Sequence, residues 1–154
     1  MTKTVKIIVS GLVAGFISEG ILGALFMSPP VKHFLYNPAY QSDVFIQITP
    51  TRDLFPSIAG IVVLSIAHSW LFTVLQASIP GSTWLKKGLF WGFTIWLMFW
   101  VFQEWFIYHT LLREPLLLNL VELLILLAGS LMEGIIISKL LYPANIKQNT
   151  QKAL

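Results

Sequence analysis

Cysteine is absent from all 154 residues, which excludes disulfides, thiolate metal ligands and cysteine nucleophiles but selects no compartment. Charge is the next scarcity. Only 11% of the side chains are charged and 56% are apolar, with a mean hydropathy of +0.76, whereas a water-soluble domain carries about a quarter charged residues. A solvated basic domain is therefore excluded, and no nucleic-acid partner is expected. The net charge of +3 reads as topology and contact with anionic lipid headgroups. Familiar chemical motifs are missing as well: there is no phosphate-cradling glycine loop, no HExxH pair and no nucleophile elbow. No internal repeat stands out.

Long apolar runs take their place. Residues 7–27, 54–79, 88–112 and 116–142 each meet or exceed the roughly 20 residues needed to cross about 30 Å of hydrocarbon as a helix. A greasy soluble bundle fails, because too little polar surface is left to cover four such helices. The expected fold is an all-α integral membrane protein: one membrane domain over residues 1–154, built as a four-helix transmembrane bundle. Lys3 and Lys6 before the first run imitate a signal peptide, but the run is too long and no small-x-small cleavage pattern follows, so a retained helix is expected.

Lysine and arginine set the orientation. Lys3, Lys6, Lys86, Lys87, Lys139, Lys147 and Lys152 fall on one side, against Lys32, Arg52 and Arg113 on the other. Both termini are therefore expected in the cytoplasm, with the plasma (inner) membrane of a bacterium as the expected location. The outer loop, 28–53, opens on Pro29-Pro30 and carries Phe34, Tyr36, Tyr40 and Phe45, which suits a short amphipathic segment folded over the bundle mouth. Loop 80–87 is a polar turn with Trp84 as an interfacial anchor, and Arg113-Glu114-Pro115 turns the chain into the last helix, with Pro115 at its first position. Such short connections predict that the last three helices are antiparallel neighbours. The tail 143–154 is polar and is expected to fray.

Against this background four acids are conspicuous: Glu19, Glu104, Glu122 and Glu133 lie inside the apolar runs, with almost no basic residue at their depth. A charge at a helix centre costs about 3 kcal/mol on insertion scales, and each Leu, Ile or Phe returns about half a kcal/mol, so the helices still insert. Once there, a carboxylate must be protonated, paired, hydrated or bound to a cation. On helix 1, Gly11, Gly15 and Glu19 recur every four residues, with Gly20 and Gly23 close by, a small-residue stripe that aims Glu19 at protein. On helix 2, Ser57, Ser65, His68, Phe72 and Gln76 share an arc. On helix 3 the stripe is Phe93, Leu97, Trp100, Glu104 and Tyr108. On helix 4, Glu122 and Glu133 share a face across Leu126, Gly129 and Ser130.

Depth separates the acids. Glu19 and Glu104 lie about eight residues from the outer ends, roughly 12 Å at 1.5 Å per residue, Glu122 is shallower, His68 is near the midplane, and Glu133 lies about 16 Å below Glu122. The expected site for substrate or proton is accordingly Glu19, His68, Gln103, Glu104 and Glu122 in the outer half, with Ser65, Phe72, Trp100 and Tyr108 lining the pocket and Glu133 as a separate site. Plainer readings stand beside these: an interhelical hydrogen bond for Glu19, solvated or structural roles for Glu122 and Glu133, a satisfied core imidazole for His68, bulk packing for the tryptophans. Paired haem-ligating histidines are excluded by the unequal depths of His68 and His109, and the Glu-x-x-His pattern of bundle metal centres is missing.

No catalytic residue and no organic cofactor is identified. The function expected is binding or transport of a proton, cation or small cationic solute. The alternatives are a metal-binding or redox protein, with Glu19, His68, Glu104 and Glu122 as ligands, and an accessory subunit of a larger membrane complex. The partners expected are the lipid bilayer and a second copy, joined through helix 1 glycines or helix 3 aromatics, or a larger membrane complex.

Overall fold

The computed structural model describes residues 1–44 and 54–142. The tail expected to fray and the segment holding Phe45, Arg52 and Asp53 lie outside the described residues. Within them the chain forms five α-helices and no strand: α1 (Lys3–Phe26), α2 (Pro29–Leu35), α3 (Leu54–Leu75), α4 (Trp84–Ile95) and α5 (Leu116–Leu141). Two π-helical segments, Trp96–Trp100 and Gln103–Leu111, prolong α4. Three helices, α1, α3 and α5, are long and apolar enough to cross a membrane. Their outward faces carry large apolar side chains such as Phe16, Ile17, Val63, Leu71, Val74 and Leu124, which suits contact with lipid chains rather than water.

Helix ends follow local chemistry. The Thr2 hydroxyl accepts from the Val5 N–H at 3.4 Å, so α1 starts ahead of its apolar run and takes in Lys3 and Lys6. α3 ends at Leu75, short of the expected residue 79, and the Ser78 and Ile79 N–H groups close a last turn on the Leu75 carbonyl. Gly81 follows with φ +121°, a backbone that L side chains rarely adopt. Thr83 caps α4 by accepting from Lys86 N–H at 3.2 Å. Pro115 is the residue before α5 rather than its first turn, with extended ψ of 133°. Its carbonyl starts the helix by accepting from Leu118 and Asn119.

Packing departs from the expected order of neighbours. α5 is central and packs on both α1 and α4, while α3 packs chiefly on α1. α3 and α4 follow each other in the chain, yet among the described residues they are not major packing partners, and they touch at the lysine-rich end. There Phe72 stacks edge-on to Trp91 at 6.0 Å, and the Lys87 ammonium donates to the Gln76 carbonyl. The cause is glycine. A β-carbon at Gly11 would strike the main chain of Ser65 and Ile66 on α3, and one at Gly15 the Ser65 side chain, so α1 and α3 approach closely along this stripe. At Gly88, Gly92 and Gly134 the backbones of α4 and α5 do the same: a β-carbon on Gly92 would strike the Ser130 carbonyl, and one on Gly134 would strike Gly88 and Gly92. Each seam draws its own pair together and leaves a gap between α3 and the prolonged α4. Gly20 and Gly23, grouped with the α1 packing face by sequence, look into open space.

The helix 3 stripe is also revised. Phe93 and Leu97 are exposed, whereas Glu104 on the same predicted stripe is buried. Each π turn closes i→i+5 and takes up an extra residue, so a stripe counted at the α-helical step drifts off its face beyond Ile95. Trp96 Nε1 donates to the Leu123 carbonyl at 2.8 Å and pins the start of this segment to α5. At the end of the molecule opposite the lysine-rich one, α2 and the residues after it fold back. Phe34 and Tyr40 rings lie 5.8 Å apart, the Gln41 amide donates to the Leu35 carbonyl, and Ser42 Oγ donates to the Leu112 carbonyl at 2.7 Å. This part of the outer loop thereby caps the connection that leads into α5.

Candidate functional site

The polar residues expected to form one site fall into two. The first surrounds a cavity of about 440 Å³ in the gap between α3 and the prolonged α4, closed behind by α1 and α5. Ser18 and Glu19 reach it from α1, Ser57, Ser65 and His68 from α3, Phe99, Trp100 and Gln103 from the π-helical stretch, and Ser130 and Glu133 from α5. Its centre is an imidazole–carboxyl pair: His68 Nδ1 lies 2.9 Å from Glu133 Oε1, with the two side chains only 17% and 10% exposed. Two hydroxyls are committed to their own helices, Ser18 Oγ donating to the Gly15 carbonyl at 3.0 Å and Ser65 Oγ to that of Ile61. Ser130 differs. It lines the cavity, is 2% exposed, and its Oγ has no partner.

Glu133 is therefore not a separate site. It is the partner of His68, and depth explains the correction. Counted from the same end, His68 is fourteen residues into α3 and Glu133 seventeen into α5, about 21 Å and about 26 Å at 1.5 Å per residue. Glu19, Gln103, Ser65 and Trp100 share this cavity, as expected from the sequence. Phe72 does not line it: the ring is fully buried in the core against Trp91. Tyr108 is not a lining residue either; its hydroxyl meets the Gln103 amide at 3.5 Å.

The second group lies nearer the lysine-poor end. Glu104, Glu114 and Glu122 each bring a carboxyl oxygen to within 4.8 Å of the others. Glu104 and Glu114 are 3% exposed and Glu122 is half-buried. The ligand set Glu19, His68, Glu104 and Glu122 is thus divided between the two groups. By sequence Glu114 is only a turn residue, and its role depends on backbone geometry that composition does not reveal. Arg113 adopts φ +59°, the left-handed region seldom used outside glycine and asparagine. The Glu114 N–H then donates to the Tyr108 carbonyl at 3.0 Å, and His109 Nδ1 donates to the Glu114 carbonyl at 2.8 Å. These bonds tuck the side chain beneath the connection, where Asn119 Nδ2 donates to its Oε2. Asn119, fully buried, stands four residues after Pro115, where the first turn of α5 brings it back to the connection.

Burial pushes the Glu114 carboxyl up to about 7, with the nearby Glu122 carboxyl adding to the rise and the Asn119 hydrogen bond and His109 opposing it. An acid whose folded-state value lies above its unfolded value gives stability that is fully present below the unfolded value, near 4.5, and lost as pH rises through about 7. Chelator-treated protein should lose unfolding free energy across that window, by at most about 1.4 kcal/mol per pH unit for this one group. Glu114→Gln keeps an acceptor for Asn119 and has no proton to lose, so its stability relative to wild type should improve from pH 5 to pH 8. Parallel curves for the two proteins would contradict the assignment.

Comparison with protein-family models, with curated proteins and with solved structures yields no match, so the chemistry rests on the residues themselves. They define a small all-helical protein with three helices of membrane-spanning length and a polar cavity among them. A carboxyl–imidazole pair in such a setting can take up and release a proton, and carboxylates facing a cavity with aromatic walls can hold a cation.

Proposed function

We propose that the protein binds a proton or a compact monovalent cation in this cavity and passes it across the bilayer, with the α4 rod, residues 84–111, as the fourth membrane crossing and both termini on the lysine-rich cytoplasmic side. The observation that carries this reading is the His68–Glu133 pair, 2.9 Å apart and deep on the wall of the cavity. Glu19 lines the same cavity beside this pair, so two carboxyls and an imidazole stand together at depth. A cavity of about 440 Å³ accommodates a small organic cation, and Trp100 and Phe99 supply faces that attract one. Deep ionisable groups that line a cavity are the usual mark of a proton or ion pathway. Glu104 and Glu122, expected in the substrate site, take no part in it.

Proteoliposomes containing a pH-sensitive dye test the reading. Addition of methylammonium or guanidinium should drive proton counterflow through wild-type protein. Glu19→Gln and Glu133→Gln should each slow it at least about tenfold, the equivalent of 1.4 kcal/mol of lost attraction. Wild-type flux in both variants would defeat the proposal.

A further inference from the structure

Apart from the cavity, the most constrained polar group is the set of three carboxyls at the lysine-poor end. We propose that Glu104, Glu114 and Glu122 form a binding site for one hard divalent cation of the calcium or manganese type, independent of the cavity at His68 and Glu133.

Three observations support it. The first is spacing. One oxygen from each residue lies within 4.8 Å of the other two. Oxygens on opposite sides of a calcium ion, each about 2.4 Å from it, stand about 4.8 Å apart, and neighbouring ones stand closer. The three donors therefore fit around a single ion with little rearrangement. The smaller, strictly octahedral magnesium ion would require them to contract. An all-oxygen donor set selects hard cations and disfavours copper and zinc.

The second observation points to a ligand independently of the acids' proximity. Glu104 Oε2 and Asn119 Oδ1 are buried, on side chains 3% and 0% exposed, and neither has a hydrogen-bond partner. Buried acceptors are normally satisfied, and leaving one unsatisfied is costly. Of the two, Glu104 Oε2 belongs to one of the three clustered carboxyls, while Asn119 holds Glu114 through its Nδ2. Glu104 and Glu122 hydrogen-bond to each other through one pair of oxygens, which leaves Glu104 Oε2 idle. A cation can satisfy several acceptors at once.

The third is the absence of competition. Among the described residues no lysine or arginine forms an ion pair with any of the three acids, and Arg113, adjacent in sequence, is exposed. Half-buried Glu122 gives the ion a side from which to enter. The three donors come from the π-helical end of the α4 rod, the following connection and the second turn of α5, so a bound ion would tie these elements together.

Paramagnetic titration provides the test. Chelator-treated wild-type protein in detergent micelles is titrated with manganese(II), and the free-ion resonance is followed. One manganese per chain should be withdrawn from solution and returned by calcium. Glu104→Gln and Glu122→Gln, checked as folded by circular dichroism, should each weaken binding at least tenfold, and Glu19→Gln should bind as wild type does. A full free-ion signal in the presence of millimolar wild-type protein overturns the proposal without reference to any variant. So does unchanged binding in both carboxamide variants, or loss of binding in Glu19→Gln, which would place the ion in the cavity. None of these readouts involves flux, so failure of the manganese test leaves the transport reading untouched, and the converse also holds.

Discussion

His68→Leu is expected to lower the unfolding free energy by about 3 kcal/mol, and Glu133→Leu by a similar amount, because removing one member of a buried imidazole–carboxyl pair leaves the other polar group without its partner. The double variant should be far less destabilised than the sum. Two apolar side chains of suitable size leave no orphan, and such replacements of buried pairs are commonly neutral or stabilising. The geometry supports a large coupling: the atoms are 2.9 Å apart, the side chains are 17% and 10% exposed, and the partners come from helices α3 and α5, which otherwise touch little. The cavity beside them admits some hydration, which places the value at the lower end of the roughly 3–5 kcal/mol typical of such truncations. Reversible unfolding of the four proteins in mixed micelles gives the coupling energy directly. Strict additivity of the two single effects would mean that the pair is not an energetic unit. Flux should behave differently, since the double variant regains stability without regaining the carboxyl that attracts the cation.

The outline of the molecule was readable because hydrocarbon imposes a simple rule. The runs at 7–27, 54–79 and 116–142 are apolar along most of their length, and each contains or overlaps a helix of spanning length, α1, α3 or α5. The third run, 88–112, did not show its geometry. Nothing in Trp96–Trp100 or Gln103–Leu111 marks a π-helix by composition, and the consequence was a stripe that placed Phe93 with Glu104. The neighbour relations were partly legible. Gly11 and Gly15 form the packing face expected of them and do meet α3. Gly88, Gly92 and Gly134 carry the same four-residue signal between α4 and α5, and it was overshadowed by the aromatic residues around it.

The site was legible as a set of residues but not as an arrangement. Glu19, His68, Gln103, Ser65 and Trp100 come together around the cavity, since each lies on the inward arc of its helix. Glu133 shares a helix face with Glu122, but its partner is His68, at a similar depth on another helix. Glu114 was invisible for a different reason. Its inward turn depends on the left-handed backbone of Arg113 and on His109 and Tyr108 holding its main chain. Neither follows from hydropathy.

Gly134→Leu should be the most disruptive substitution outside the polar groups. A β-carbon there would strike the Gly88 carbonyl and the Gly92 backbone, and one on Gly92 would strike the Ser130 carbonyl. The obstacle in each case is main chain, which cannot rotate aside as a side chain can. The helices must separate, and overpacking of this kind costs about 1–3 kcal/mol, occasionally more. Separation would also act at a distance from the mutation. The α4–α5 seam sets where Trp100 and Gln103 meet Ser130 and Glu133, and where Glu104 meets Glu122, so both polar groups should loosen together. The expected results are a lower unfolding free energy, slower flux and weaker manganese binding in one protein. Gly20→Ala and Gly23→Ala provide the control. Both glycines face open space within α1, and replacing a mid-helix glycine with alanine should be neutral or stabilising by up to about 1 kcal/mol. Equal stability for Gly134→Leu and wild type would show that α4 and α5 do not rely on the close backbone crossing. The gap in which the cavity lies would then need a physical cause other than the two glycine seams.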